Sequence, residues 1–209
     1  MKSKREEYRH LVNKIVKCTR CPLHKSRKNP VPGEGSLDSE IMFVGEAPGR
    51  KEDERGRPFV GMAGKLLSDL LTKIGLSRDE VYITNIVKCR PPGNRDPRPE
   101  EIQACLPYLL EQIRIIKPRI IVTLGRHSGK TLFETARLKW APLSRIHGKP
   151  YTGIVEDVNV TLYPTYHPAA ALYNPSLREV LEQDFRRLAE ILEEIRNKPK
   201  TRKTLFDYM

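Results

Sequence analysis

Ile41-Met42-Phe43-Val44 runs straight into Gly45, and few features restrict a fold as tightly. Four consecutive apolar residues closed by glycine are too short for a helix and read as a strand buried on both faces, the kind found in parallel sheets covered by helices. The segment that follows, Gly45-Glu-Ala-Pro-Gly-Arg-Lys-Glu-Asp-Glu-Arg-Gly-Arg-Pro-Phe-Val-Gly-Met-Ala-Gly64, is rich in glycine and leads into a helical pattern at Met62 to Ile74, with Leu66, Leu67, Leu70, Leu71 and Ile74 on one face and Gly75 as the stop. Its glycines permit close approach of backbone to a ligand. Glu46, Glu52 and Asp53 are held near the strand's carboxyl end, where open α/β sheets bind their ligands, and Phe59 is an aromatic placed on the loop. The glycine spacing matches neither GxGxxG nor the Walker pattern, which argues against a nucleotide cofactor.

The strand–helix alternation continues. Residues 4–17 place Tyr8, Leu11, Val12, Ile15 and Val16 at helical spacing, and Leu23 to Ser39 reads as loop. Val81 to Ile86 is a second strand running into a loop, Arg90-Pro-Pro-Gly-Asn-Arg-Asp-Pro-Arg-Pro99, that no helix could occupy. Glu100 to Lys117 is helical, Arg119 to Leu124 is a third strand, and a helix opens at Gly125 and runs to about Thr135. Residues 136–159 are ambiguous, with room for a short hairpin. Val160 to Thr165 is a fourth strand, which Pro164 places at an edge or ends early. Ser176 to about Arg196 is an amphipathic helix. This pattern predicts a three-layer α/β/α sandwich around a central four-stranded, mainly parallel sheet. Residues 1–197 are read as one domain, followed by a basic tail at 198–209.

The chain has 38 basic and 26 acidic residues, a net charge of +12, which favours a polyanionic partner over a merely solvated basic surface. No apolar run approaches the ~20 residues that cross a bilayer, and the N-terminus lacks a signal-peptide core, so a cytoplasmic monomer is expected. The 31% charged fraction and 17 prolines point towards a thermophilic source. In a cytosolic setting, four cysteines are metal or cluster ligands rather than disulfides. Cys18 and Cys21 form a C-x2-C pair, and Cys89 and Cys105 are separated by fifteen residues; that spacing suits structural zinc and an iron-sulfur cluster equally.

Three segments fall at strand ends: the Gly45 loop, Asn85, and Tyr166-His167-Pro168-Ala169-Ala170. Parallel connectivity brings all three to one edge of the sheet, giving a pocket with carboxylate, amide, imidazole and aromatic ring, the set a nucleobase site requires. His10, His24, His127 and His147 match no motif and read as surface or structural residues, and Arg50, Lys51 and Glu54 as a solvated loop face.

Taken together, the Gly45–Gly64 string, Tyr82-Ile-Thr-Asn-Ile-Val-Lys-Cys-Arg-Pro-Pro-Gly-Asn-Arg-Asp-Pro97, the cysteine arrangement and His167-Pro-Ala-Ala170 resemble the uracil-DNA glycosylase superfamily, in the variant of its thermostable iron-sulfur enzymes, family 4. The resemblance spans residues 18 to about 173. It implies a monofunctional glycosylase that flips deoxyuridine from DNA and hydrolyses the N-glycosidic bond in base excision repair, and it tips the cysteines to a structural 4Fe-4S cluster. It further implies that Phe59 stacks on the flipped base, that Asn85 reads the uracil edge, that His167 donates to O2, and that Ala47 and Glu52 also line the base site, with Glu52 against C5. The chemistry also calls for a carboxylate beside the cationic sugar. The superfamily's best-known branch has aspartate where this chain has Ala47, so that role falls to Glu46. In this family the loop after the second motif supplies a wedge, here Leu172 or Tyr173; Arg145, Lys149 and Arg178 are candidate phosphate contacts. The tail, ending Leu205-Phe206-Asp207-Tyr208-Met209, resembles a sliding-clamp peptide without its leading glutamine, with packing on its own domain as the alternative.

Overall fold

In the computed structural model, which describes residues 3–197, a single six-stranded sheet runs in the order β1-β3-β2-β4-β6-β5. The strands are β1 (Glu34–Gly35), β2 (Ile41–Gly45), β3 (Tyr82–Asn85), β4 (Ile120–Leu124), β5 (Tyr151–Val155) and β6 (Val158–Thr165). The helices are α1 (Lys4–Val16), α2 (Arg50–Arg55), α3 (Met62–Lys73), α4 (Pro99–Ile116), α5 (Arg126–Thr135), α6 (Leu143–Ile146), α7 (Pro168–Tyr173) and α8 (Ser176–Asn197). The tail, and with it the clamp-peptide reading at Leu205, Phe206, Tyr208 and Met209, lies outside the described residues.

β3, β2, β4 and β6 form the parallel centre. Every residue of β2 and β4 is buried, as their unbroken apolar runs require, because helices cover both faces. One core layer packs α1 and α4 on the sheet through Leu11, Ile15, Leu109 and Ile113. The other packs α3 and α8 through Leu67, Leu71, Leu181 and Leu188.

The sheet departs from the four strands expected. The two extra strands are antiparallel edges: β1 pairs β3 through two residues of the glycine- and proline-rich loop, and β5 forms a hairpin with β6. β1 is too short to carry a periodic signal, and β5 alternates half-buried with exposed positions around Gly153. β6 is therefore interior rather than an edge. Pro164 is tolerated because the β5 pairing stops at Leu162, two residues earlier, so no ladder bond to β5 is lost there. Arg50, Lys51 and Glu54 are exposed as expected but belong to the short helix α2, which Gly56 ends in the left-handed conformation at φ 66°. Among the described residues no helix is long and apolar enough to cross a membrane.

Candidate active site

The carboxyl ends of β2, β3 and β6 open on one cavity of about 330 Å³, a size suited to a small ligand. Glu46, Ala47, Glu52, Phe59, Asn85 and His167 all line it, so the predicted pocket residues are brought together from three separate segments. Beyond β2 and β3 the backbones stay joined: Ile86 N–H donates to Gly45 O and Val87 N–H to Glu46 O, both at 3.0 Å.

Asn85 is only 2% exposed, yet no hydrogen bond engages its side-chain amide among the described residues. A buried amide in that state has a donor and an acceptor to offer a ligand. Its backbone is fixed from behind, since the buried Lys88 ammonium donates to Asn85 O at 2.7 Å, Thr84 Oγ1 at 2.6 Å and Gln112 Oε1 at 2.7 Å. Gly45 is what lets the amide and the aromatic ring sit side by side. A Cβ there would lie 2.3 Å from Asn85 Oδ1 and 2.8 Å from Phe59 Cζ.

Phe59 adopts φ 50°, a left-handed conformation costly for an aromatic residue, so the surrounding structure must impose it. Two residues do so. Arg78, itself braced by Glu34, donates to Pro58 O at 2.9 Å and Phe59 O at 3.2 Å. Gly64 lets α3 close against the same peptide, for any Cβ at that position would fall 1.8 Å from Phe59 O. Glu52 completes the loop by accepting from Val60 N–H and Gly61 N–H, each at 2.8 Å, at the start of α3. Sequence reading overlooked Arg78, because an arginine three residues past a helix stop carries no local signal.

His167 caps α7 by accepting the Ala169 N–H at its Nδ1, 3.1 Å away. A backbone amide can only donate, so the ring proton resides on Nε2. Burial in the cavity wall holds the imidazole down at about 4, with Glu52 partly opposing, and the ring is a neutral donor at neutral pH. Phe59 and His167 lie 5.5 Å apart between centroids at 26°. That gap is shorter than two stacking distances of about 3.5–4 Å each, so a flat ligand stacked on Phe59 meets His167 at its edge.

Glu46 sits across from these groups with its side chain 29% exposed. Burial raises its carboxyl above the ordinary range, Asp96 adds to the rise, and His127 and Arg126 oppose it. His127 Nε2 is 3.8 Å from Glu46 Oε2 and 3.0 Å from Asp96 Oδ2. The sequence places His127 among surface or structural residues, and nothing in its context pairs it with Glu46; only the β4–α5 turn does. The proline-rich loop forms the remaining wall through Pro91, Asn94 and Arg95, and Glu101 holds that loop down with two bonds to Arg95 at 2.6 and 2.8 Å. Leu172 and Tyr173 do not line the cavity. They lie three and four residues beyond Ala169, which does, and are 40% and 88% exposed at its margin. Arg145, Lys149 and Arg178 are exposed.

On the other side of β3, Cys18, Cys21, Cys89 and Cys105 line one second, smaller cavity. N–H groups point at the sulfurs, from Arg27 to Cys89 at 3.0 Å and from the Lys88 backbone to Cys105 at 3.2 Å. Burial pushes both thiols up, Cys105 to about 11, and these donors oppose it by favouring the thiolate, the form in which cysteine binds metal. His24 also borders this cavity, and His147 pairs with Asp184 at 3.0 Å.

Residues 32–196 match the model of the uracil DNA glycosylase superfamily. The chain is 55% identical over 183 residues to a type-4 uracil-DNA glycosylase of Saccharolobus solfataricus, covering 87% of this chain and 85% of the relative. It is 48% identical over 199 residues to one of Archaeoglobus fulgidus, covering 95% and 97%, and 33% identical over 193 residues to a type-5 uracil-DNA glycosylase of Pyrobaculum aerophilum, covering 78% and 82%. With a family match over most of its length and a cavity built from the segments that carry the resemblance, this chain belongs to the uracil-DNA glycosylase superfamily.

Proposed function

We propose that this protein is a monofunctional uracil-DNA glycosylase that removes uracil from DNA by hydrolysis. The observation that carries the reading is the unengaged, buried Asn85 amide in one cavity with a neutral imidazole donor and a carboxylate. A flipped uracil stacks on Phe59 and meets Asn85 along N3–H and O4, while His167 Nε2–H reaches O2. As the glycosidic bond breaks, its electron pair leaves with the base and negative charge grows towards O2. A neutral, preoriented donor stabilises that charge without first losing a proton to solvent. Positive charge develops on the deoxyribose, and Glu46 stabilises it and orients the water that adds to C1′, accepting the proton released. Uracil and an abasic site result. The cavity wall carries no lysine among the described residues, so no Schiff base forms and the strand is left intact.

Ala47 and Glu52 take the remaining side of the base. Because Glu52 is fixed by two backbone amides it cannot swing aside, and a rigid wall at C5 rejects thymine's methyl by more than the ~1–3 kcal/mol that an accommodating pocket achieves. Leu172 or Tyr173 fills the gap left by the flipped nucleotide, and Arg145, Lys149 and Arg178 contact phosphate.

The four cysteines hold a structural 4Fe-4S cluster in this reading. Among the described residues no three of their sulfurs lie within 4.8 Å of one another. A tetrahedral zinc ion with bonds of ~2.3 Å would need its sulfurs drawn together to roughly 3.8 Å. When bound, such a cluster supplies a rigid four-point link and no step of the hydrolysis.

The deciding experiment is alkali cleavage of a labelled oligonucleotide bearing one uracil, with thymine and hypoxanthine oligonucleotides alongside. Breakage at uracil alone is the expected result. No breakage by cluster-loaded protein at any temperature tested overturns the reading and leaves a DNA-binding module.

A further inference from the structure

We propose that His127 is a positioning residue for this reaction: held by Asp96 on its outer side, it is the basic neighbour that keeps the Glu46 carboxylate in place and aimed into the cavity. The inference rests on the glycosylase reading of the same site. His127 enters from α5, whose first turn follows β4 through Gly125, and its Nε2 is shared between two carboxylates that belong to different segments, Glu46 after β2 and Asp96 in the proline-rich loop. That nitrogen lies 3.0 Å from Asp96 and 3.1 Å from Arg126 Nη2, while at 3.8 Å Glu46 is at ion-pair rather than hydrogen-bond range.

The charged groups facing Glu46 are few. From α5 come His127 and the 68% exposed Arg126, which is also 3.6 Å from Asp96; from the loop comes Asp96 with the like charge. Arg95 lines the cavity, but its guanidinium is taken by Glu101. His127 is thus the innermost basic side chain beside Glu46, only 24% exposed. DNA closing over the cavity expels water, lowers the local dielectric and strengthens the His127–Glu46 attraction just as the carboxylate is needed. Asp96, 67% exposed, holds the imidazole without entering the cavity.

The test compares His127→Gln, which removes the basic group, with His127→Lys, which supplies a fixed cation. Two readouts are taken: the single-turnover rate on a uracil oligonucleotide from pH 5 to 8, and the Glu46 titration in free protein from the carboxylate infrared band assigned by difference against Glu46→Gln. His127→Gln is expected to move the acid limb and the band upward in pH and to slow the reaction about 3–10-fold near pH 6. His127→Lys restores both, and binding of a duplex with a non-cleavable deoxyuridine analogue stays within twofold throughout. Glu46→Gln and Glu46→Gln/His127→Gln proceed at equal rates if His127 acts only through Glu46. An unmoved limb and band in His127→Gln, or additive losses in the double variant, overturn the proposal. Absence of uracil release by the wild-type protein would instead sink the glycosylase reading, and the infrared titration still reports on His127 in that case.

Discussion

In the proposed reaction Glu46 and His167 respond oppositely to pH, and the difference follows from what burial does to each. Burial disfavours charge, so it pushes the Glu46 carboxyl up and the His167 imidazole down, to about 4. His167 stays a neutral donor across pH 5–8. An acid limb of the rate profile therefore belongs to Glu46, whose carboxyl is pushed up, rather than to His167, and it disappears in Glu46→Gln while persisting in a slowed His167→Ala. Loss of the Nε2–H donor in the latter is expected to lower the single-turnover rate about 10²–10³-fold. The same depressed imidazole affects stability. The unfolded chain takes up a proton near pH 6.5 that the folded chain refuses until about pH 4. Stability from this group is full above 6.5 and is lost as pH falls towards 4, so thermal melting at pH 5 comes at lower temperature than at pH 7, and by less in His167→Ala. Gly45→Ala tests the packing directly: a methyl 2.3 Å from Asn85 Oδ1 displaces the amide or Phe59, and uracil release falls far more than melting temperature does. At this scale the pocket was legible because Glu46, Phe59, Asn85 and His167 each stand at the end of a readable strand or on the loop after one. His127 and Arg78 were not, since each acts through a partner distant in sequence, 81 positions (127 − 46) for His127 and Glu46.

The elements show why some segments announce themselves and others do not. β2, β3, β4 and the helices α3, α4 and α8 carry either an unbroken apolar run or a regular apolar stripe, and their bounds were read to within a residue or two. β1 and β5 exist because a neighbour's open edge is available, which is a property of the sheet and not of their own residues. The Phe59 loop is the element on which function hangs most directly. Arg78 holds it through backbone carbonyls alone, so Arg78→Ala removes no pocket side chain while freeing the strained Phe59 peptide at φ 50° to relax and shift its ring. A misplacement of about 1 Å costs on the order of 10²-fold in rate. Arg78→Ala should therefore lower kcat/KM by about 10–100-fold and raise hydrogen exchange at residues 58–61, with α3 itself protected as before.

Across the whole molecule two features set behaviour: surplus positive charge and the four-cysteine centre. With a net charge of +12, binding to DNA should weaken steeply with salt. Each phosphate contact contributes a slope of about −0.9, so Arg145→Ala with Lys149→Ala reduces the log–log salt slope by about 2 if both touch phosphate, measured on a uracil-free duplex. The composition disclosed this term, but it could not say which basic residues face DNA, because exposed arginines and lysines occur on every side. The cysteine centre was legible as a set and not as a place. Its four members come from the end of α1, the segment after β3, and α4, and only the fold shows that they line one cavity.

That arrangement has a consequence for how the chain is made. Cys18 and Cys21 leave the ribosome first, yet the thiols they face come 68 and 84 positions after Cys21 (89 − 21 and 105 − 21). At about 5–20 residues per second, the early pair waits roughly 4–17 s for Cys105 to be synthesised. Throughout that interval α1 lacks the α4 surface on which Leu11 and Ile15 pack. Closure of the four-thiol site is thus a late event, gated by translation of α4, and the N-terminal thiols stay without their partners in the meantime.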